Sequence, residues 1–278
     1  MRFSKMQGCG NDYVYVNCFT EDIKDPNELA KKVSDRHFGI GSDGLVLIKP
    51  STEGDFTMHM YNADGSQSEM CGNAIRCVGK YVYDHKMTDK THLSIETLAG
   101  MKYLDLSVEG DKVVEVTVDM GSPILEPENI PVNVSGTRVI QYPIKVEDKE
   151  YEITCVSMGN PHAVVFVEDT KKVDIENIGP KFEHHELFPK RINTEFVQII
   201  DRKHINMRVW ERGTGETFAC GTGANASAYA CILNGFTEDE VTVHMLGGDL
   251  KIRYDRELNR LFMTGPAVTV FEGEYYTN

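Results

Sequence analysis

The sequence lacks a long apolar run. Of its 278 residues 41% are hydrophobic, but the hydrophobic stretches are too short to cross a membrane as a helix. The first twelve residues, MRFSKMQGCGND, also lack the apolar stretch and the small-residue cleavage site of a secretory signal peptide. These absences argue against a membrane partner and favour a cytoplasmic protein. The length of 278 residues suits one large domain or two medium ones.

Paired cysteine motifs and clustered basic residues are also missing. The chain has seven cysteines, an odd number, and no CxxC pair, which argues against a disulfide framework or a zinc site. It has 43 acidic and 29 basic residues, with a net charge of −14. Binding to a nucleic-acid backbone needs clustered Lys and Arg, so we expect no nucleic-acid partner. We expect reduced thiols and no metal site.

Short strands dominate the pattern that is present. The helix signals are fewer, and the first is at Asp25, where Asp as N-cap, Pro26 at the first helical position and Glu28 three residues on form a capping-box pattern. Two more helices are predicted after Cys71 and after Cys220. The alternating or β-branched runs that predict strands are residues 13–17, 45–48, 56–61, 113–119, 163–167 and 204–210.

The two cysteine motifs reveal an internal repeat. Cys220 follows Cys71 by 149 positions (220 − 71), and the same offset relates Asn160 in GNP to Asn11 in GND. Several matches at one offset indicate a duplicated unit rather than chance. The offset also relates MRVWE (207–211) to MHMYN (58–62), Ile175 to Pro26, and Asn193 before TEFVQI to Gly44 before LVLI.

The repeat predicts the fold class. We expect an α/β protein of two pseudo-symmetric domains from an internal duplication, each a curved β-sheet or barrel wrapped around a central helix. The active site would lie in the cleft between the two domains. The predicted N-terminal domain comprises residues 1–119 and 267–278, and the C-terminal domain comprises residues 120–266. The proline-rich segment 121–150 is interpreted as a crossover between the halves.

A cysteine at the start of a helix has a chemical use. Helix N-termini present N–H groups without intrahelical acceptors and a partial positive charge, which favour anions and lower the pKa of a thiol placed there. If Cys71 and Cys220 face a small anionic substrate from opposite sides, one removes a proton from carbon and the other returns one. A stereocentre is then inverted without a cofactor, and the helix-start amides hold the substrate carboxylate.

Four segments carry a resemblance to a known family. KMQGCGNDYV, YNADGSQSEMCGNAIRC, SMGNPHAVVF and WERGTGETFACGTGA resemble the diaminopimelate epimerases, and the similarity runs along essentially the whole chain. The resemblance implies a cofactor-independent isomerase, without pyridoxal phosphate, that interconverts L,L- and meso-diaminopimelate in the synthesis of lysine and peptidoglycan precursors. Its substrate is a small zwitterion.

The resemblance also implies the site residues. Cys71 and Cys220 would be the acid/base pair, and His162 and Glu211 would support catalysis. Arg212 is suited to clamp the distal carboxylate of the substrate. Gly44 stands where some family members have a glutamine that reaches the substrate, so only its backbone is available. The implied substrate contacts are Asn11, Asn62, Gly72, Asn73, Asn160, Asn193, Glu211, Arg212, Gly221 and Thr222.

Two other functions compete with this one. Proline and hydroxyproline racemases resemble the chain in the paired cysteines, but they typically have a histidine after CG, where this chain has Asn73. A non-enzymatic role would make the two thiols a regulatory disulfide. The family resemblance further implies a homodimer that pairs near the C-terminus, where Phe271 occupies the matching position; the alternative is that Phe271 packs within its own sheet.

Overall fold

The structure, a computed structural model, describes residues 1–276. It divides into two compact units, residues 120–263 forming the second and the rest of the chain the first. The sequence predicts the return to the first domain at residue 267 instead of 264. In the described part of the chain, no helix is both long and apolar enough to span a membrane.

The first unit holds two helices and most of the strands before residue 121. Its helices are α1 (Pro26–Ser34) and α2 (Gly72–Asp84). The strands are β1 (Arg2–Gly8), β2 (Asn11–Asn17), β3 (Gly44–Lys49), β4 (Phe56–Asn62), β5 (Gln67–Ser68), β6 (His92–Thr97), β7 (Gly100–Glu109) and β8 (Lys112–Gly121), with β18 (Val268–Glu274) added to β1.

The second unit repeats this order. Its helices are α3 (Ile175–Glu183) and α4 (Gly221–Leu233), and two short 3-10 turns lie at Pro127–Asn129 and Thr170–Lys172. The strands are β9 (Tyr142–Val146), β10 (Lys149–Ser157), β11 (Pro161–Phe166), β12 (Asn193–Ile199), β13 (His204–Glu211), β14 (Gly215–Glu216), β15 (Glu240–Met245), β16 (Gly248–Asp255) and β17 (Arg260–Pro266), whose last three residues belong to the first unit.

The strand pairing confirms the predicted duplication. In the first unit β1 and β2 are antiparallel, β2 and β3 are parallel, β3 and β4 are antiparallel, and β4 and β6 are parallel. In the second unit β10 to β13 and β15 pair in the same alternation. The helices match residue for residue at the 149-position offset, since α3 corresponds to α1 and α4 to α2.

Helix α1 begins as its sequence predicts. The Asp25 carboxylate accepts a hydrogen bond from the backbone N–H of Glu28 at 3.1 Å, and Pro26 is the first helical residue. Proline suits this position because its missing N–H would have no intrahelical acceptor. Leu29, Ala30 and Val33 form the buried stripe that packs α1 against β3 and β4.

Each unit has a sheet wrapped around a helix that begins at a cysteine. Helix α4 packs against six strands of its own unit, and all its residues from Gly221 to Ile232 are buried except Thr222. Helix α2 packs against β1, β2 and β7. Its Ile75, Val78 and Val82 are fully buried, and each contributes about 1.5–3 kcal/mol of transfer free energy. The predicted α/β class, with two repeated units that each wrap a sheet around a central helix, is confirmed.

One sequence interpretation needs correction. Segment 121–150 is not only a crossover, because it contains β9, which pairs antiparallel with β10. Prolines argue against a strand in the sequence, but Pro143 pairs with Glu152 within β9. A proline is tolerated there because an edge strand does not need every N–H for pairing. The predicted strand 163–167 also ends one residue early, at Phe166.

Candidate active site

The first unit brings together four of the predicted site residues at the start of α2. Cys71 is the N-cap of this helix, with extended backbone, so its thiol lies beside the helix-start amides of Gly72 and Asn73. The Cys71 thiol donates to Asn11 Oδ1 at 3.3 Å, and Asn73 Nδ2 donates to the same oxygen at 3.4 Å. We call Cys71, Asn11, Gly72 and Asn73 the first half-site.

The orientation of Asn11 in the first half-site is set by Asp43. Asn11 Nδ2 donates to Asp43 Oδ2 at 2.7 Å, so the amide oxygen is turned toward Cys71 and Asn73. Asp43 is held in turn by Arg36, whose Nη2 donates to Asp43 Oδ1 at 3.0 Å. The carboxylate therefore determines which end of the amide faces the thiol.

Asn62 and Gly44 lie across from one another on adjacent strands. Asn62 ends β4 and pairs with Gly44 on β3, and its Nδ2 donates to Ser66 Oγ at 2.9 Å. A Cβ atom at residue 44 would lie 2.0 Å from the Tyr61 carbonyl oxygen, so only glycine fits. Its backbone therefore stays the only part of residue 44 available to a ligand.

The second unit brings together most of the remaining predicted residues at the start of α4. Cys220 is the N-cap, and the backbone N–H of Gly223 donates to its sulfur at 3.4 Å. Thr222 Oγ1 lies 3.5 Å from the same sulfur, and Asn160 Nδ2 donates to Thr222 Oγ1 at 3.2 Å. We call Cys220, Gly221, Thr222, Asn160, His162 and Glu211 the second half-site.

Burial and two carboxylates govern the Cys220 thiol. Burial, followed by the charges of Glu211 and Glu195, raises the pKa of Cys220 well above its ordinary value, and the hydrogen bonds from Thr222 and Gly223 only partly oppose this. The prediction of a lowered thiol pKa is therefore wrong for Cys220. The helix start favours a thiolate, but desolvation and the adjacent carboxylates outweigh it.

Glu211 is itself shifted by its surroundings. Burial raises the pKa of the Glu211 carboxyl, and hydrogen bonds from Thr217 and Cys220 act in the opposite direction. Thr217 Oγ1 donates to Glu211 Oε1 at 2.5 Å. A carboxyl with a raised pKa beside a thiol is suited to exchange a proton with it.

His162 makes side-chain rather than backbone contacts. Its Nδ1 lies 2.6 Å from Glu195 Oε1, and both side chains are fully buried. Its Nε2 lies 3.0 Å from Asn160 Oδ1. Both ring nitrogens of His162 are therefore engaged by side chains.

Asn193, the first residue of β12, and Arg212, which follows the last residue of β13, are joined by a hydrogen bond. Asn193 Oδ1 accepts from the backbone N–H of Arg212 at 2.9 Å, and Asn193 Nδ2 donates to the Pro161 carbonyl at 2.8 Å. The Arg212 side chain is exposed, and its Nη1 donates to the Lys190 carbonyl at 3.0 Å. One face of the guanidinium group is thus anchored while the side chain stays accessible to solvent.

The sequence reasoning missed Glu195. Strand β12 is buried from Asn193 to Val197, and Glu195 is a charged residue in the middle of that buried run. The repeat-equivalent position in the first unit is Val46. A carboxylate in a core position of one copy, with an apolar residue in the other copy, was the signal available. Asp43 was missed as well, because its role depends on a contact with Asn11 that spacing does not reveal.

The described residues also lack a candidate metal centre. Within residues 1–276, no group of three or more His, Cys, Asp and Glu side chains is placed to hold a metal ion. All seven cysteines of the chain are thiols rather than disulfides.

Sequence comparison assigns the chain to a family. Residues 3–126 and 154–270 match the family described as diaminopimelate epimerase. The chain belongs to the diaminopimelate epimerase family. It is 61% identical to the diaminopimelate epimerase of Acetivibrio thermocellus over 100% of this chain and 99% of that protein. It is 60% identical to that of Agathobacter rectalis, over 99% of each chain.

Solved structures of more distant proteins share the fold. A phenazine biosynthesis protein of the PhzF family from Bacillus anthracis superposes with a TM-score of 0.71 at 17% identity, over 100% of this chain and 99% of that chain. A hydroxyproline epimerase from Agrobacterium vitis gives a TM-score of 0.69 at 13% identity, over 98% of this chain and 90% of that chain. At 17% and 13% identity, these two structures show that the proteins share the fold of this chain and nothing more.

Proposed function

We propose that this chain is an isomerase that interconverts L,L- and meso-2,6-diaminopimelate, and that Cys71 and Cys220 exchange the α-proton. Family membership supports the reaction. The observation that carries the assignment of the two residues is that each cysteine is the N-cap of a 13-residue helix at equivalent positions of the two units. No other pair of cysteines in the described residues has this placement.

The proposed reaction balances without a cofactor. A thiolate takes the proton from Cα, and the electron pair of the broken C–H bond is delocalised toward the α-carboxylate. The second thiol gives its proton to the opposite face of Cα and becomes a thiolate. The sulfurs have then exchanged protonation states, and the net charge of the site is unchanged. The reaction requires one sulfur on each face of Cα.

The raised pKa of Cys220 supports a direction for the unliganded enzyme. Because burial, Glu211 and Glu195 favour its protonated form, Cys220 holds the proton before substrate binds. In that state it is the proton donor, and Cys71 is the proton acceptor. In the reverse reaction Cys220 must lose its proton, and the adjacent Glu211 is placed to support that step.

The polar residues of the two half-sites provide the proposed substrate contacts. The helix-start amides of Gly72, Asn73, Gly221 and Thr222 would bind the α-carboxylate and the charge that develops on it. Asn11, Asn62, Asn160 and Asn193 would bind the amino and carboxylate groups, since an amide both donates and accepts. Arg212 would pair with the distal carboxylate, which distinguishes diaminopimelate from proline.

The assembly and compartment are proposed on other grounds. Phe271 and its neighbours Val268 and Val270 on β18 are exposed apolar side chains, and such residues suit a two-fold interface. We therefore propose a homodimer. Cytoplasmic location is proposed because the substrate class belongs to precursor synthesis.

Isotope incorporation tests the function. The enzyme is incubated in deuterated water with L,L-diaminopimelate, meso-diaminopimelate or L-proline, and the products are separated by stereochemistry and weighed by mass spectrometry. We expect one deuterium at Cα of each epimerised diaminopimelate molecule and none in proline. Incorporation into proline alone would assign the chain to the racemase alternative. No exchange in any substrate by a folded, reduced protein would refute both.

A further inference from the structure

We infer that Glu195 is a positioning residue for Cys220, acting through a chain of hydrogen bonds that runs from Glu195 through His162, Asn160 and Thr222 to the sulfur. The effect of Glu195 on the Cys220 sulfur does not depend on the proposed function, whereas its importance for proton transfer to substrate does. The four contacts are 2.6 Å for Glu195 Oε1 to His162 Nδ1, 3.0 Å for His162 Nε2 to Asn160 Oδ1, 3.2 Å for Asn160 Nδ2 to Thr222 Oγ1, and 3.5 Å for Thr222 Oγ1 to Cys220 Sγ.

The donors and acceptors fix the direction of this chain. An amide oxygen only accepts hydrogen bonds, so His162 Nε2 must carry a proton to meet Asn160 Oδ1. The amide nitrogen of Asn160 then donates to Thr222, whose oxygen acts as acceptor. Thr222 keeps its own hydroxyl hydrogen for the sulfur of Cys220. A hydrogen bond to sulfur from that hydroxyl stabilises the thiolate.

Glu195 lets His162 donate from Nε2 because it shares a second proton with Nδ1 across the 2.6 Å contact. If the ring carried one proton only, an ionised carboxylate would hold that proton on Nδ1, and Nε2 could not donate to Asn160. Without a carboxyl at residue 195, neutral His162 is free to carry its proton on Nδ1. Nε2 would then accept, the Asn160 amide would turn over, and Thr222 would donate to Asn160 instead of to Cys220.

The surroundings of Glu195 support a specific role. The side chain is fully buried, and within residues 1–276 its Oε2 has no hydrogen-bond partner. A buried carboxylate oxygen without a partner destabilises the fold, and a core position would not retain it without a compensating use. Gly223 also leaves space for this carboxylate, because a Cβ atom there would lie 2.7 Å from Glu195 Oε1.

Charge alone and the hydrogen-bond chain predict opposite effects of replacing Glu195. The charge of Glu195 raises the pKa of Cys220, so its removal by itself would favour the thiolate. Breaking the hydrogen-bond chain would remove the Thr222 donor and favour the thiol. Glu195→Met removes both the charge and the contact to His162. Glu195→Gln removes the charge but offers an N–H to His162 Nδ1, which keeps the proton on Nε2.

The test measures Cys220 reactivity and the His162 tautomer in the reduced full-length protein without substrate. Methyl methanethiosulfonate labelling of Cys220 is followed by peptide mass spectrometry at fixed pH, with Cys71 in the same digest as the internal control. We expect labelling of Cys220 to slow about tenfold in Glu195→Met, which is about one pKa unit, and not to slow in Glu195→Gln. Long-range proton–nitrogen NMR of ¹⁵N-histidine protein should show Nε2 of His162 protonated in wild type and in Glu195→Gln.

Three results would overturn the inference. One is a wild-type His162 whose Nε2 carries no proton. The second is a Glu195→Met protein in which Cys220 is labelled as fast as in wild type or faster, as charge alone predicts. The third is equal slowing in both variants together with a parallel fall in melting temperature, which would indicate a role in stability only. None of these readouts needs turnover, so they separate failure of this inference from failure of the proposed function.

Discussion

Asp43 holds the amide of Asn11 so that its oxygen, not its nitrogen, faces the Cys71 thiol. Asn11 Nδ2 donates to Asp43 at 2.7 Å, and the thiol donates to Asn11 Oδ1 at 3.3 Å. An amide oxygen that accepts from a thiol favours the protonated sulfur. For Cys71 to act as the proton acceptor proposed above, substrate or the helix-start amides would have to stabilise its thiolate in place of Asn11.

Asp43→Ala tests this relationship. The variant frees the Asn11 amide to turn, and we expect kcat/KM to fall roughly 10- to 100-fold, since hydrogen bonds to charged groups are worth about 1.5–3 kcal/mol. The matched control is Asp25→Ala, which removes the N-cap of α1 in the same unit at a cost of about 1 kcal/mol in stability. If both variants lose activity in proportion to their melting temperatures, Asp43 acts through stability and not through Asn11.

The two cysteines should each be indispensable. We expect Cys71→Ala and Cys220→Ala to lose at least about 100-fold in epimerisation, the lower end of what a positioned acid or base contributes, because inversion needs one group per face. Cys18→Ala is the control, since Cys18 is a half-buried thiol outside both half-sites. Epimerisation is followed by chiral separation of substrate and product. Wild-type turnover in either site variant would be incompatible with the two-base scheme.

The repeat and the helix starts could be predicted from the sequence because both depend on local chemistry. The amino-acid sequence alone shows the capping box at Asp25, the small residues after each cysteine and the single offset of 149 positions. The pKa of Cys220 could not be predicted in the same way. It depends on Glu195 and Glu211, which lie on two different strands and become neighbours of the thiol only after folding.

The two half-sites also differ in charge, and this difference too depends on contacts that form only after folding. At the 149-position offset Glu195 corresponds to Val46, His162 to Tyr13 and Glu211 to Asn62. The sequence shows that these positions align, but the effect of each side chain on the nearby thiol depends on how deeply it is buried. Buried carboxylates raise the pKa of a neighbouring thiol, whereas apolar or amide side chains add no charge. Pseudo-symmetry of the backbone therefore coexists with unlike environments at the two sulfurs.

Buried thiols should make the protein less stable in alkali. Burial raises the pKa of Cys77 from its ordinary value to about 11 and that of Cys231 to about 12. Above about pH 9 the unfolded chain loses protons that the native thiols keep, so the free energy of unfolding falls as pH rises, by up to about 1.4 kcal/mol per pH unit for each thiol. Below that pH these thiols cause no change.

Urea unfolding in reductant between pH 7.5 and 10.5 measures this slope. We expect Cys77→Ala to be less stable than wild type at neutral pH, because it leaves a cavity, yet to lose less stability with rising pH. Cys18→Ala is the comparison: burial raises the pKa of this half-buried thiol as well, but less than that of Cys77, so its slope should lie between those of wild type and Cys77→Ala. Identical slopes in wild type and Cys77→Ala would show that the buried thiol does not contribute.

Arg212 should determine affinity for the distal carboxylate. Its guanidinium group is partly fixed by the Lys190 carbonyl, and a lysine in its place offers no parallel pair of donors. We expect Arg212→Lys to raise KM for diaminopimelate about tenfold with a smaller change in kcat, as loss of about 1.4 kcal/mol of binding requires. Arg256→Lys, at an exposed arginine paired with Asp239, is the control. An unchanged KM would remove Arg212 from the substrate contacts.

Phe271 should hold two copies of the chain together. Its ring is 46% exposed although it packs edge-on against Phe3, with ring centroids 5.8 Å apart, so its own sheet covers only part of it. We expect light scattering across a dilution series to give the mass of two chains for wild type and of one chain for Phe271→Ala. Phe38→Ala, at a ring that is 92% exposed elsewhere in the first unit, should stay dimeric. Because each chain carries both cysteines, the monomeric variant should keep the proton-transfer chemistry and lose mainly stability. A wild type that is monomeric and fully active at every concentration would refute the dimer, and Phe271 would then be a side chain that packs on Phe3 alone.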